Sequence, residues 1–111
     1  MPEMQTSMEA VRLNPLIPAY KEKFIKDIKK EDIKLAVSGI IVSKDNGKIV
    51  IDDTTGNIPV EIETELEMNK FVRVFGVLIP YDDGFEVQGH IIQDLSELDI
   101  EKYMKVKALL Q

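Results

Sequence analysis

Three sets of residues in this chain have the types and spacing for chemistry. The first is a pair of carboxylate doublets, Asp52-Asp53 and Asp82-Asp83, which resemble metal-site ligands. Adjacent strand residues point to opposite faces, so neither doublet converges on an ion. Aspartates in turns more simply bond their own backbone. The second is His90, the only histidine, which shares the polar side of a strand with Glu86 and Gln88 and has no ligand or acid/base partner at hand. The third mixes cations with rings: Lys44, Lys48, Arg73, Phe75 and Tyr81. Ammonium and guanidinium groups contact phosphates, and aromatic rings stack on bases, so this set suits a nucleic-acid strand. With no cysteine there is no thiolate metal site, disulfide or cysteine nucleophile. The chain also lacks a Gly-rich phosphate loop, a nucleophile elbow and a paired His/carboxylate set. The expectation is a binding or assembly protein without cofactor, metal or catalytic residues, and not an enzyme.

The elements that must position the third set follow from periodicity. Ile33, Leu35, Val37, Gly39 and Ile41 alternate with Lys34, Ala36, Ser38 and Ile40, a strand with a bend or bulge at Gly39. Asn46-Gly47 turns the chain into a second strand, Lys48–Asp52. After Asp53-Thr54-Thr55-Gly56 a third strand holds Ile58, Val60 and Ile62, with Pro59 suited to an edge or bulge. Glu63–Asn69 reads as an acidic connector, Phe71–Ile79 as a fourth strand broken by Gly76, and Phe85–Ile91 as a fifth beyond the Tyr81–Gly84 turn. Residues 19–30 suit either a short helix or an extended lead-in. Ser96 and Asp99 fit a capping box, with Leu95 and Ile100 as its staple. Helical spacing of Ile100, Tyr103, Met104, Val106 and Leu110 then predicts a terminal helix.

At 111 residues, 44% hydrophobic and 31% charged, the chain is sized for one domain with a real core. Its apolar runs are far too short to span a bilayer, and no signal segment is evident, so a soluble intracellular domain without membrane contact is expected. The net charge of −6 has the wrong sign for a bulk nucleic-acid coat. It is also uneven: residues 1–50 have a small positive excess and residues 51–111 a large negative one. The lysines between Lys21 and Lys34 form either a solvated, ion-paired face or a basic edge that attracts phosphate.

Five strands in this order, with a glycine in the first and in the fourth, suggest an OB-fold, a five-stranded Greek-key barrel, here with a C-terminal α-helix. Composition alone does not separate this barrel from an SH3-like one. The residues do. Ile33–Val42, followed by Ile49-Val50-Ile51-Asp52-Asp53-Thr54-Thr55-Gly56-Asn57-Ile58-Pro59-Val60, resembles the start of the OB domain in the middle and small subunits of replication protein A. Phe71–Leu78 resembles the fourth strand of that family and Phe85–Ile92 the fifth, with Asp94–Leu98 leading to the terminal helix in the same order. The likeness covers residues 33–111, and the Cys-free, Lys- and Ile-rich composition agrees with an archaeal, thermophilic member. With residues 1–18, proline-bearing and without a steady period, read as a mobile N-terminal arm, the expected domains are 1–18 (the arm), 19–94 (the OB barrel) and 95–111 (an assembly helix).

The resemblance implies a subunit of a single-stranded DNA-binding complex, cytoplasmic and nucleoid-associated, that acts in replication and repair. Tyr81 stands where the family stacks a base at the end of strand four. The tryptophan at the end of strand three is replaced by Ile62-Glu63-Thr64, which implies weak DNA binding by the chain alone. On strand four, Val72, Val74 and Leu78 are expected inside. Phe71, Arg73, Phe75 and Val77 are then outside, either open to DNA or covered by the arm or the terminal helix. Lys44 and Lys48 flank the hairpin that borders the groove. The broad stripe of Ile100, Tyr103, Met104, Val106 and Leu110 implies that the helix joins helices of other OB-fold subunits. An assembly module that does not touch DNA, serving a polymerase, helicase or recombination complex, is the alternative. RNA in place of DNA also fits the same residues.

Overall fold

A computed structural model describes residues 20–97 and 99–110. The expected arm at 1–18 lies outside the described residues. The elements are β1 (Lys21–Glu22), β2 (Lys34–Asp45), β3 (Lys48–Asp52), β4 (Asn57–Glu61), β5 (Phe71–Tyr81), β6 (Gly84–Asp94) and α1 (Ile100–Leu110). All five expected strands are present as β2 to β6. The ambiguous lead-in is extended at β1, then makes one 3₁₀ turn at Ile25–Asp27. Among the described residues no helix is long and apolar enough to cross a membrane.

The sheet order β2-β3-β4-β6-β5 closes on itself because β2 also pairs with β5. Closure requires one strand to serve two neighbours. The first half of β2 pairs with β5, from Lys34↔Val77 to Ile40↔Phe71, and its second half pairs with β3. The changeover falls at Gly39 and at a bulge between Ile41 and Ser43. A Cβ on Gly39 would stand 2.4 Å from the Asp52 carbonyl oxygen, so only glycine permits the crossing. Gly76 does the same beside the β5 bulge, where a Cβ would meet the Gln88 oxygen at 2.3 Å. The single parallel pairing within the barrel joins Val60 of β4 to Val87 of β6.

Inside the barrel Val37, Ile41, Ile49, Ile51, Ile58, Val60, Val72, Val74 and Val87 form one buried cluster. The connector between β4 and β6's neighbour β5 supplies Ile62 and Leu66 to it, and the lead-in supplies Ile25 and Ile28. Asp53 holds that lead-in. Its buried carboxylate accepts from the Ile25 N–H at 2.8 Å, the Thr55 N–H at 2.9 Å and the Thr55 hydroxyl at 2.6 Å. Asp52 accepts from the Thr54 N–H at 2.7 Å. Both members of this doublet therefore serve the backbone. In the Asn46-Gly47 turn only Gly47 takes a positive φ, 69°.

The helix start differs from the sequence expectation. Ser96 is not the cap: its N–H donates to Asp94 at 2.9 Å, in a turn that ends β6. Asp99 is the cap, accepting from the Lys102 N–H at 3.2 Å. The cap thus lies three residues later, and Leu95 no longer precedes it, so the Leu95/Ile100 staple loses its register. Aspartate caps as well as serine, and a second acceptor three positions away made the two registers indistinguishable by residue type.

Candidate nucleic-acid interface

Each outer surface of the barrel is set by what lies over it. On the β2/β5 side, the outward residues Ala36, Ser38 and Ile40 stand opposite Phe75, Arg73 and Phe71. This is the face expected to offer Arg73 and Phe75 to DNA. It is covered. Tyr20 packs edge-on against Phe75 with ring centroids 5.4 Å apart, and Tyr103 of α1 packs edge-on against Phe71 at 5.7 Å. Both phenylalanines are buried. Of the two alternatives for this face, the structure takes the covered one.

Arg73 is consumed by the seam under the helix. Its Nη1 donates to Glu22 Oε2 and to the Tyr103 hydroxyl, each at 3.2 Å, and its Nε donates to Gln93 at 2.9 Å. The Tyr103 hydroxyl donates to Glu22 Oε2 at 2.6 Å, which leaves Ser38 to donate to the same phenol at 3.0 Å. Five elements, β1, β2, β5, β6 and α1, meet in this network. Burial raises the Tyr103 pKa, and its hydrogen bond to Glu22 raises it further. Beside it, Lys107 is only 3% exposed, and its ammonium has no hydrogen-bond partner among the described residues. The ammonium lies 4.8 Å from the centre of the Phe24 ring, and burial lowers its pKa against the pull of Glu22 and Asp53.

Of the remaining residues expected to bind DNA, Lys48 and Tyr81 meet on the open side. There β3 and β4 pair Lys48 with Glu61, Val50 with Pro59 and Asp52 with Asn57. Lys48 donates to the buried Glu86 carboxylate at 3.3 Å and lies 5.1 Å from the centre of the Tyr81 ring. The Glu86 hydrogen bond is the main cause that raises the Lys48 pKa. Lys44 reaches from the hairpin to the Leu66 carbonyl oxygen at 2.8 Å. Tyr81, 49% exposed, ends β5 at the Asp82-Asp83 turn. Lys48 and Tyr81 are thus brought to one face, whereas Lys44 stands in register with buried Ile49 on the other pleat and Arg73 and Phe75 lie on the covered side.

On α1, Ile100 and Val106 are exposed and Tyr103 and Met104 half-buried. Leu110 closes the helix, but its side chain is outside the described set. Two residues were missed by sequence reasoning. Leu109 is 85% exposed and, at three residues from Val106, shares its outward face. Lys107, a lysine expected in solvent, turns inward. No signal in residue type separates Leu109 from Leu110; only the helix phase does.

A closed barrel with this strand order and a C-terminal helix is an OB-fold, so the expected fold is the observed one. No protein-family model matches the sequence, and no curated protein matches it. Solved structures do. The chain is similar to a structure of the Stn1–Ten1 complex of S. pombe, with TM-score 0.68 and 18% identity over 83% of this chain and 91% of that one. The S. pombe telomere capping protein Ten1 gives the same TM-score, 0.68, at 19% identity, over 83% of this chain and 97% of that one. A replication protein A heterotrimer bound to single-stranded DNA gives 0.52 at 22% identity, over 71% of this chain and 73% of that one.

Proposed function

We propose that this chain is an OB-fold subunit of a hetero-oligomeric complex of the replication-protein-A or telomere-capping kind, joined to its partner subunits through α1. The observation that carries this reading is the outward face of the helix, where Val106 is 53% and Leu109 85% exposed while Tyr103 and Lys107 fix the other side. An apolar stripe held outward on an anchored helix fits a partner helix. The similar structures support it, since two of them are complexes. The role is binding and assembly without catalysis, and the setting is DNA replication or chromosome-end maintenance. An archaeal, nucleoid-associated member that also serves repair is the finer form of the proposal.

In this reading the complex grips single-stranded DNA and this chain contributes little of the grip. Lys44 and Lys48 are already bound to Leu66 and Glu86, and Arg73 is internal. That favours a role close to the pure assembly module. Affinity purification of the tagged full chain from its native cells, followed by mass spectrometry, tests the proposal. A stoichiometric OB-fold partner that is lost with Val106→Glu/Leu109→Glu is the expected result. Recovery of the chain alone, or of partners indifferent to the double substitution, overturns it.

A further inference from the structure

The open side carries one ion pair whose partners stand on strands that do not pair with each other. Lys48 begins β3 and points outward, because Ile49 and Ile51 take the core pleat. Glu86 of β6 points outward for the same reason, beside Val87 in the core. β4 runs between these two strands. Lys48 reaches over it to the Glu86 carboxylate at 3.3 Å, and its ammonium rests over the Tyr81 ring, 5.1 Å from the centre. Glu86 is only 7% exposed, whereas Tyr81 is open to solvent.

Two more carboxylates stand in register with Lys48, Asp45 on β2 and Glu61 on β4. Both are exposed, and neither forms an ion pair among the described residues. Water screens their pull on the ammonium. Glu86 differs by direct contact, and its hydrogen bond is the main cause that raises the Lys48 pKa, ahead of the field of Glu61. An ammonium beside an exposed ring is the pair that a single strand uses, the cation for a phosphate and the ring for a base. A carboxylate oxygen accepts from an ammonium as a phosphate oxygen does. Glu86 therefore fills the place at Lys48 that a phosphate would take.

We propose that Glu86 is a resident competitor for phosphate: by holding Lys48 over Tyr81 it keeps this side of the barrel from gripping single-stranded DNA. The chain thus carries two groups that would make the contact and a third that disables them. The proposal rests on the reading above, in which the complex grips the strand and this chain adds little. Glu86 is the side chain that sets how little.

The test is fluorescence anisotropy of a labelled oligo(dT) titrated with the full chain over a salt series. Glu86→Gln keeps the shape of the side chain and removes its charge. It should tighten binding about tenfold at low salt, the scale of one hydrogen bond to a charged group. The slope of log Kd against log salt should steepen by about 0.7, the share of one phosphate on a single strand. Glu86→Met, the substitute if the glutamine variant does not fold, should give the same gain. Both effects should vanish in Lys48→Met/Glu86→Gln. Glu61→Gln removes an equal charge from the same side without a direct bond to Lys48, and should change the affinity by less than about twofold. An equal gain from Glu61→Gln would mean diffuse relief of repulsion and would overturn the proposal. So would a gain that survives the loss of Lys48, or no gain at all; the assembly reading would then still stand, since it turns on Val106 and Leu109.

Discussion

The covered and open sides of this barrel use nearly the same residue types to opposite ends. Beneath α1, Arg73 and Lys107 meet Phe75, Phe24, Tyr103 and Glu22; on the open side, Lys48 meets Tyr81 and Glu86. A cation beside a ring on an outer strand face is the pattern that reads as nucleic-acid contact. Under the helix it is a seam that ties five elements together. What separates the two is cover, because an ionic contact gains strength as water leaves, and an unpaired charge gains cost.

The comparison can be broken by substitution. The largest effect is expected from Arg73→Ala, which strips Glu22, Gln93 and Tyr103 of a shared donor in a partly buried site. It should destabilise the fold by about 2–3 kcal/mol in urea titration. Tyr103→Phe keeps the ring on Phe71 and removes the bonds to Glu22 and Ser38. About 1–2 kcal/mol should be lost, with hydrogen exchange speeding first in α1.

Lys107→Met should act in the other direction, stabilising the seam by about 1 kcal/mol, because a side chain of similar volume replaces a buried ammonium that has no hydrogen-bond partner among the described residues. The pH dependence carries the same information. Folding lowers the Lys107 pKa, so the unfolded chain binds more protons there, and stability should rise with pH as that folded pKa is passed, up to the ordinary 10.5. Tyr103 works against this above its ordinary 10.0, because its folded pKa is raised and the unfolded chain then releases more protons. The rise is therefore expected below about pH 10, where Tyr103 is still protonated in both states, and should vanish in Lys107→Met. The smallest effect belongs to the open side. Lys48→Met should leave the urea midpoint nearly unchanged, since its ion pair is solvent-facing on the lysine side.

Much of the barrel was legible because period-two alternation and turn chemistry are local. The bend at Gly39 and the gap at Gly76 could be read as interruptions of strands, and the Asp52-Asp53 doublet as turn-forming. What sequence could not supply was cover. Alternation says that Phe71, Arg73 and Phe75 share a face, and nothing about Tyr20 and Tyr103, some thirty to fifty residues distant, arriving on it. Lys107 was illegible for a related reason. A lysine in an amphipathic helix reads as solvated, and only the phase set by the Asp99 cap turns it onto Phe24.

The central claim is that the chain supplies assembly and the complex supplies the hold on DNA. Fluorescence anisotropy of a labelled oligo(dT) across a salt series, with the isolated chain and with the complex that co-purifies with it, tests this most directly. The isolated chain should bind weakly, with a shallow salt slope equivalent to about 2–4 phosphates at most, and the complex tightly with a steeper one. Tight, steeply salt-dependent binding by the isolated chain, matching that of the complex, would contradict the account.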